Sequence, residues 1–174
     1  TTDYRPAWDR GRIGGALRFD GSNDLVTAGS LPVIDDLAQD GMTVQAWIKP
    51  FSTGENGTGR IASKRPADGE GGWIFFMDET SSIGAQTIGL ASLPIANSRG
   101  ADNAIVIGEW NNVAMTYNND GDRTIRLYAN GREIAYQTKD AGASSPDIDE
   151  PDILYIGQDI LSDRNFDGLI DNLK

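Results

Sequence analysis

The sequence predicts an all-β fold, an antiparallel β-sandwich or barrel. Short segments alternate apolar and polar residues with a period of two, most clearly Met42–Phe51 and the segment 110–137. This is the pattern of strands with one buried face. Turn-forming pairs such as Asn130-Gly131 separate such segments, as they do in tight hairpins. A helical period is missing from the same segments, so a helical bundle or a βαβ arrangement is not expected.

The first half of the chain is predicted to contain short strands between polar turns. Residues 1–15 are polar and glycine-rich, which predicts an irregular start, and residues 31–40 predict a loop or a single helical turn. Met42–Phe51 is the clearest strand, because its aliphatic residues alternate with Thr43, Gln45 and Trp47. The other strands expected before residue 110 lie over residues 16–19, 25–28, 60–63, 73–77, 87–92 and 104–107, with a long excursion over 93–103.

The segment 110–137 is the centre of the prediction. Three strands are expected within it, over 113–117, 124–128 and 133–137, joined by the turns Asp120-Gly121 and Asn130-Gly131 into a β-meander. A loop then leads to two last strands over 153–157 and 168–173. About a dozen short strands with frequent turns are typical of sandwiches and barrels.

Composition limits the function classes. The length of 174 residues fits one domain with its own core. The net charge of −11 predicts neither nucleic acid nor an anionic membrane as partner, because both would repel the chain. The absence of Cys and His excludes disulfides, thiolate and imidazole metal sites, and histidine-based catalysis. No apolar run reaches the ~20 residues of a membrane helix, so membrane insertion is not expected.

Seven segments together resemble one known family. They are 14–26 (GGALRFDGSNDLV), 42–50 (MTVQAWIKP), 61–64 (IASK), 110–117 (WNNVAMTY), 127–131 (LYANG), 154–157 (LYIG) and 168–171 (GLID). In this order they resemble the laminin-G-like, or concanavalin A-like lectin-glucanase, jelly-roll superfamily, most closely its bacterial extracellular branch. The resemblance implies one two-sheet jelly-roll domain over 1–174 and an extracellular or cell-surface location.

The chain ends depart from the family pattern. Family domains usually have another strand before the GGALRFDG segment and continue beyond the position of Asp171, and neither extension is expected here. The chain is therefore expected to be a fragment of a longer protein or to lack terminal strands. Unpaired sheet edges favour strand addition, which makes homo-assembly through edge strands an alternative function.

Two acidic turns are predicted calcium sites, because calcium binds several oxygen ligands at once. Asp20, Asn23 and Asp24 crowd one turn, and the resemblance implies that Asp171 lies near it. The second turn holds Asp163, Asn165 and Asp167 in an Asp-x-Asn-x-Asp-Gly pattern. Lys174 at its twelfth position and the lack of flanking helices exclude an EF-hand. For the first turn the alternative is that Asp, Asn and Gly simply form a turn; for the second, a calcium in the loop remains the expectation.

A third candidate is a rim site with pentraxin-like features. The segment around Asp68 and Glu70, followed by Trp73, resembles the calcium-binding loop of pentraxins. Gln158 and Asp159 resemble the start of their second ligand segment, although Ile160 and Leu161 then replace further oxygen donors. The alternative is a solvated acidic loop.

The fourth candidate is a sugar-binding face on the predicted sheet. Gln45, Trp47 and Lys49 lie on the non-aliphatic face of their strand, and Arg126 and Tyr128 on that of the meander. An aromatic platform with hydrogen-bonding neighbours suits a sugar. The alternative is that Trp47 belongs to the core, where the family regularly has Trp.

Catalysis is not expected. Glycoside hydrolysis needs two carboxylates across a cleft, and the nearest acidic pair, Asp78-Glu79, points to opposite faces of a strand. The sequence therefore predicts a non-catalytic, calcium-stabilised carbohydrate-binding or adhesion module. A structural subunit that self-assembles and a spacer domain of a polysaccharide-degrading enzyme are the alternatives.

Overall fold

The computed structural model describes residues 5–67, 71–88, 94–160 and 163–174. Fourteen strands in these residues form two antiparallel sheets of seven strands each, which confirms the predicted sandwich. The strands of sheet one are β1 (Ala7–Arg10), β2 (Gly15–Asp20), β4 (Gly41–Pro50), β9 (Asn111–Asn118), β10 (Arg126–Ala129), β11 (Arg132–Glu133) and β14 (Asp167–Asp171). Those of sheet two are β3 (Val26–Gly29), β5 (Arg60–Lys64), β6 (Trp73–Asp78), β7 (Ser82–Ile88), β8 (Pro94–Gly100), β12 (Tyr136–Asp140) and β13 (Leu154–Ile156).

Non-consecutive strands are neighbours in both sheets. Sheet one has the order β1-β2-β14-β4-β9-β10-β11, and sheet two has the order β12-β8-β7-β6-β5-β13-β3. The last strand of the chain, β14, therefore lies between β2 and β4. The longest pairing joins β4 to β9 over eight register pairs, from Gly41↔Asn118 to Ile48↔Asn111.

The core lies between the two sheets and contains the aliphatic residues that the alternation predicted. Val44, Ile48, Val113, Met115 and Leu127 all belong to it, and none is more than 6% exposed. On β6 every side chain is buried. Trp73, Phe75 and Met77 face the core, whereas Ile74 and Phe76 form a separate small apolar cluster and Asp78 pairs with Arg99.

Four local predictions are wrong in whole or in part. The start of the chain is not entirely irregular, because β1 pairs with β2 and so occupies the edge position that was expected to be empty. The predicted excursion over 93–103 contains β8, whereas the predicted strand over 104–107 is turn and bend. The predicted strand over 87–92 begins earlier, as β7, and its end lies outside the described residues.

The third strand of the predicted meander is divided between the two sheets. β11 pairs with β10 in sheet one, and the chain then crosses so that β12 pairs with β8 in sheet two. Only β9, β10 and β11 form the meander.

Among the residues that the structure describes, helical structure is limited to single turns. α1 (Leu37–Asp40) confirms the helical turn that was one of two expectations for residues 31–40, and a 3-10 turn spans Glu55–Gly57. In the part of the chain that the structure describes, no helix has the length and apolarity needed to cross a membrane.

Candidate functional site

The candidate site lies on the outer face of sheet one, around Trp47. Trp47 is on β4 between the buried Ala46 and Ile48 and points away from the core. In the register of the sheet it lies beside Asp171 of β14 and Asn112 of β9. Directly opposed residues of antiparallel strands share one face, so these three side chains form a row across the sheet. The alternative that Trp47 belongs to the core does not hold.

A cation lies over one face of the Trp47 indole. The guanidinium carbon of Arg12 lies 5.1 Å from the ring centroid, within the range of a cation–π contact. Arg12 belongs to the turn between β1 and β2, and Ile13 in the same turn donates its backbone N–H to Asp171 Oδ2 at 2.8 Å. Asp171 therefore anchors the turn that places Arg12 over Trp47.

A groove of about 550 Å³ opens beside this pair. Its volume falls within the ~300–1,000 Å³ that is usual for ligand sites. Its walls come from the β1–β2 turn, from β4, from the loop before β9 and from the β10–β11 turn. The lining residues are Arg12, Trp47, Lys49, Gly108, Glu109, Trp110 and Asn130.

The five predicted sugar-face residues do share this outer face. Gln45 lies opposite Ala114, which lies opposite Tyr128, so the two side chains stand two strands apart in one row. Arg126 lies in the next row and forms an ion pair with Asp122. Of the five, only Trp47 and Lys49 line the groove.

The predicted calcium turn uses its own oxygens for backbone hydrogen bonds. Asp20 Oδ1 accepts the backbone N–H groups of Ser22 at 2.9 Å and Asn23 at 3.4 Å. Asp24 is buried, and its Oδ2 accepts the backbone N–H of Asp20 at 3.0 Å. These contacts are those of an Asx-type turn.

Asp171 does not lie near this turn. The β2–β14 register puts Asp167 directly opposite Asp20. Asp171 is four residues further along β14, about 13 Å away at ~3.3 Å per residue. The structure thus brings together Asp20 and Asp167, one from each predicted calcium turn, and separates Asp171 from both.

The second predicted turn is tied to its neighbours by side-chain hydrogen bonds. The buried amide of Asn165 donates to Glu55 Oε2 at 2.6 Å and accepts from Gln158 Nε2 at 2.7 Å. Asp163 forms an ion pair with Arg164 at 3.6 Å on the surface. Within the described ranges, no three acidic side chains converge as a metal site would require. Calcium stays a prediction.

Two arginines bind the carboxylate of Asp159, one of the residues of the predicted rim site. Asp159 has no exposed surface, and its two oxygens accept from Arg60 Nε at 3.0 Å and from Arg65 Nε and Nη2 at 3.0 and 2.7 Å. Burial alone would raise the pKa of Asp159, but the two guanidinium groups outweigh burial and hold this pKa below its usual value. The carboxylate is therefore satisfied without a metal. Asp68 and Glu70 lie outside the described residues.

Trp73 is also not available as a ligand platform. Its side chain is only 3% exposed and belongs to the main core. The prediction that it contributes to a rim site is wrong, because its position on β6 turns the indole inward.

The sequence profile of one family matches residues 20–174: Laminin_G_3, of the concanavalin A-like lectin/glucanases superfamily. The chain belongs to this family. A search of curated proteins finds no significant sequence match for this laminin G domain.

Several solved structures share the fold of this chain. The Ruminococcus gnavus IT-sialidase CBM40 bound to α2,3-sialyllactose is 13% identical, with a TM-score of 0.58 over 78% of this chain and 75% of that chain. The binding domain of Paraclostridial Mosquitocidal Protein 1 is 13% identical, with a TM-score of 0.70 over 98% of this chain and 43% of that chain. The heptameric SAP-like pentraxin of Limulus polyphemus is 17% identical, with a TM-score of 0.59 over 100% of this chain and 77% of that chain.

Sequence reasoning missed several groove residues of this laminin G domain. Glu109 and Trp110 belong to the loop before β9, which carries no strand pattern that would place them on the sheet face. The position of Asn130 could have been predicted from the hairpin, because the turn after β10 places this residue opposite Asn112 in the Trp47 row. Asn130 Oδ1 accepts the Asn112 backbone N–H at 3.0 Å. The position of Arg12 depends on β1, which carries no alternation that would predict a strand.

Proposed function

We propose that this laminin G domain is a non-catalytic carbohydrate-binding module of a secreted or cell-surface protein, and that it binds glycans in the Trp47 groove. The observation that carries the proposal is the partly exposed indole of Trp47, held beside Arg12 in a groove of about 550 Å³. A buried aromatic residue at this position would leave the face without a platform.

The chemistry of the groove suits a sugar. The apolar C–H face of a pyranose packs against an indole ring, and its hydroxyl groups need donors and acceptors at the edge of that ring. Lys49 and Arg12 supply donors, Glu109 supplies acceptors and the amide of Asn130 supplies both. Trp110, which also lines the groove, adds a second aromatic surface.

The structural neighbours support the same class of ligand. One of them is a carbohydrate-binding module in complex with sialyllactose. At 13% identity the likeness concerns the fold, so the choice of groove rests on the residues of this chain.

The described carboxylates do not favour a glycosidase. Hydrolysis needs two carboxyl groups, ~5–9.5 Å apart, across the substrate, and Glu109 is the one acidic residue among the described residues that line the groove. Asp78, of the predicted acidic pair, is buried in an ion pair with Arg99 at 2.9 Å.

The test is retention on immobilised glycans, screened first on a glycan array. The full chain should bind at least one glycan class, and Trp47→Ala should weaken that binding ten-fold or more while the circular dichroism spectrum stays that of a β-protein. Trp8→Ala is the matched control, because Trp8 is 78% exposed and lies outside the groove; its binding should be unchanged. An array without binding, or equal loss in both variants, would overturn the proposal.

We further propose that calcium stabilises the fold at the adjacent carboxylates of Asp20 and Asp167. Like charges directly opposite each other on neighbouring strands repel, and a divalent cation between them would offset this repulsion. The pairing of these two residues in the β2–β14 register supports the proposal.

A further inference from the structure

A buried cluster of one lysine and two aspartates lies at the end of β5, away from the Trp47 groove. Lys64, the last residue of β5, has no exposed side-chain surface. Its Nζ lies 2.7 Å from Asp149 Oδ1 and 2.9 Å from Asp35 Oδ1, and those side chains are 1% and 8% exposed. The three residues come from three distant parts of the sequence, so the fold alone brings them together.

Reciprocal backbone hydrogen bonds fix the position of Asp149. The backbone N–H of Asp36 donates to Asp149 Oδ1 at 2.7 Å, and the backbone N–H of Asp149 donates to Asp36 Oδ1 at 2.7 Å. Lys64 Nζ also donates to the backbone carbonyl of Asp149 at 2.6 Å. The amine and the carboxyl group are thus held within contact distance, which is the condition for an intramolecular reaction with a high effective concentration.

The two oxygens of Asp149 are not equivalent. Oδ1 accepts from both Asp36 and Lys64, whereas Oδ2 is buried and has no hydrogen-bond partner among the described residues. A buried carboxylate oxygen without a partner is costly, and an ion pair in this environment loses the hydration of both charges. Conversion of the pair to an amide would remove both costs.

The electrostatics of the cluster divide the two aspartates into different roles. Burial raises the pKa of Asp149, which favours its neutral, electrophilic acid form. Burial would raise the pKa of Asp35 as well, but the hydrogen bonds of Lys64 and Ser30 lower it, so Asp35 stays an ionised base. The two carboxylates together raise the pKa of Lys64 in spite of its burial, so the reaction starts from the ion pair.

We propose that Lys64 and Asp149 condense to an intramolecular isopeptide bond, with Asp35 as the proton-transfer group. A proton first passes from the Lys64 ammonium to Asp35, which it contacts at 2.9 Å, and from Asp35 to Asp149 Oδ2, giving an amine and a carboxylic acid. The amine nitrogen then bonds to Asp149 Cγ, and the Asp36 N–H stabilises the charge that develops on Oδ1. Asp35 takes the second proton from the nitrogen and passes it to Oδ2, which leaves as water while Oδ1 becomes the amide carbonyl.

The bond would act as a covalent staple in a chain without cysteine. It would join the end of β5 to the loop before β13 and so restrict the unfolded chain, as a disulfide does. This inference does not depend on glycan binding and can fail or succeed independently of it.

The decisive measurement is the intact mass of the purified full chain after incubation at neutral pH. The linked protein is about 18 Da lighter than the sequence requires, the mass of one water lost in forming the amide. A mass equal to that of the sequence would overturn the proposal, because the cluster would then be an ordinary ion pair.

Tryptic mapping locates the bond. An unlinked chain releases the peptide IASK, residues 61–64, whereas a linked chain yields residues 61–99 joined to residues 140–164, because trypsin does not cut after an acylated lysine. Lys139 is the internal control, since its exposed pair with Glu133 at 2.8 Å should remain unlinked. Loss of water at another site would contradict the assignment.

Two variants test the roles. Asp149→Ala removes the electrophile and should have the full mass of its own sequence. Asp35→Asn keeps a side chain of the same size but removes the base, and the linked fraction should fall at least ten-fold. An Asp35→Asn chain that is folded by circular dichroism and linked as fully as the parent would exclude Asp35 from the reaction; if this variant does not fold, the mass of the parent chain still decides the proposal.

Discussion

Single charged residues decide whether the acidic rim of the sandwich binds a cation from solvent or one from the chain itself. Asp159 is a carboxylate that the sequence predicted to lie in a rim site, but Arg60 and Arg65 donate hydrogen bonds to both of its oxygens. The sequence could predict that Asp159 needs a cation. It could not predict which one, because Arg60 reaches Asp159 across 99 residues of sequence.

We predict that Asp159→Asn lowers the free energy of unfolding by about 3–5 kcal/mol. It leaves the buried guanidinium group of Arg60 and the partly buried one of Arg65 without their counter-charge. Urea denaturation followed by circular dichroism measures the loss. Asp163→Asn is the control, because its ion pair with Arg164 is exposed and should contribute at most about 1 kcal/mol. Similar losses in the two variants would contradict the buried-pair explanation.

The lowered pKa of Asp159 predicts that the free energy of unfolding depends on pH. Because the folded-state pKa of Asp159 lies below its usual value, its contribution to stability is fully present above pH ~4, the unfolded pKa. That contribution disappears as the pH falls through the folded pKa. The difference in unfolding free energy between the parent chain and Asp159→Asn should therefore be constant above about pH 5 and shrink below about pH 4. A difference that grows on acidification would have the wrong sign.

At the scale of elements, the sequence predicts those strands whose inward residues are large. β4 and β9 alternate bulky apolar residues with polar ones, so both were predicted. β8 was missed because its inward residues are small: Ala96 and Ser98 have no exposed surface and Gly100 is buried. The segment 104–107 was wrongly predicted as a strand because it is apolar in sequence. In the structure Ile105 alone among these four residues is buried, whereas Val106 and Ile107 are exposed.

The end of β13 depends on one glycine. A Cβ at Gly157 would lie 2.1 Å from Phe19 Cε1, and the residue has a φ of +84°. We predict that Gly157→Ala destabilises the fold by more than about 2 kcal/mol, since over-packing and positive φ both cost. Gly29→Ala is matched in φ, at +73°, but has open space and should cost about 1 kcal/mol. Thermal and urea unfolding of both variants separate the cost of the clash with Phe19 from the cost of a positive φ. Equal losses of stability in the two variants would show that the clash contributes nothing.

The Asp20–Asp167 pair predicts a calcium effect at the turn between β2 and β3. Calcium added after EDTA treatment should raise the melting temperature in proportion to the logarithm of its concentration, because it binds the folded state. Asp167→Asn, which leaves one carboxylate of the pair, should lose most of this shift. If the parent chain melts at the same temperature with and without calcium, the metal proposal is wrong.

At the scale of the whole molecule, the order of motifs along the chain predicted the fold better than any single motif predicted the site. Seven weak segments in family order were enough for the sandwich, and the match over residues 20–174 confirms the family. The groove could not be predicted from the sequence, because its walls come from four separate parts of the chain. Homo-assembly stays a prediction; the edge strands β1, β3, β11 and β12 have at most five residues each, which limits edge-to-edge pairing.

The arrangement of the four tryptophans gives this domain a natural optical probe. Trp47 and Trp110 line the groove, Trp73 is enclosed in the core and Trp8 is open to solvent. A saccharide in the groove would shield the indoles of Trp47 and Trp110 from water. Their fluorescence emission and its quenching by iodide would therefore change. Denaturation would instead shift the emission of the enclosed indole, so one unlabelled sample can report occupancy and folding as separate fluorescence signals.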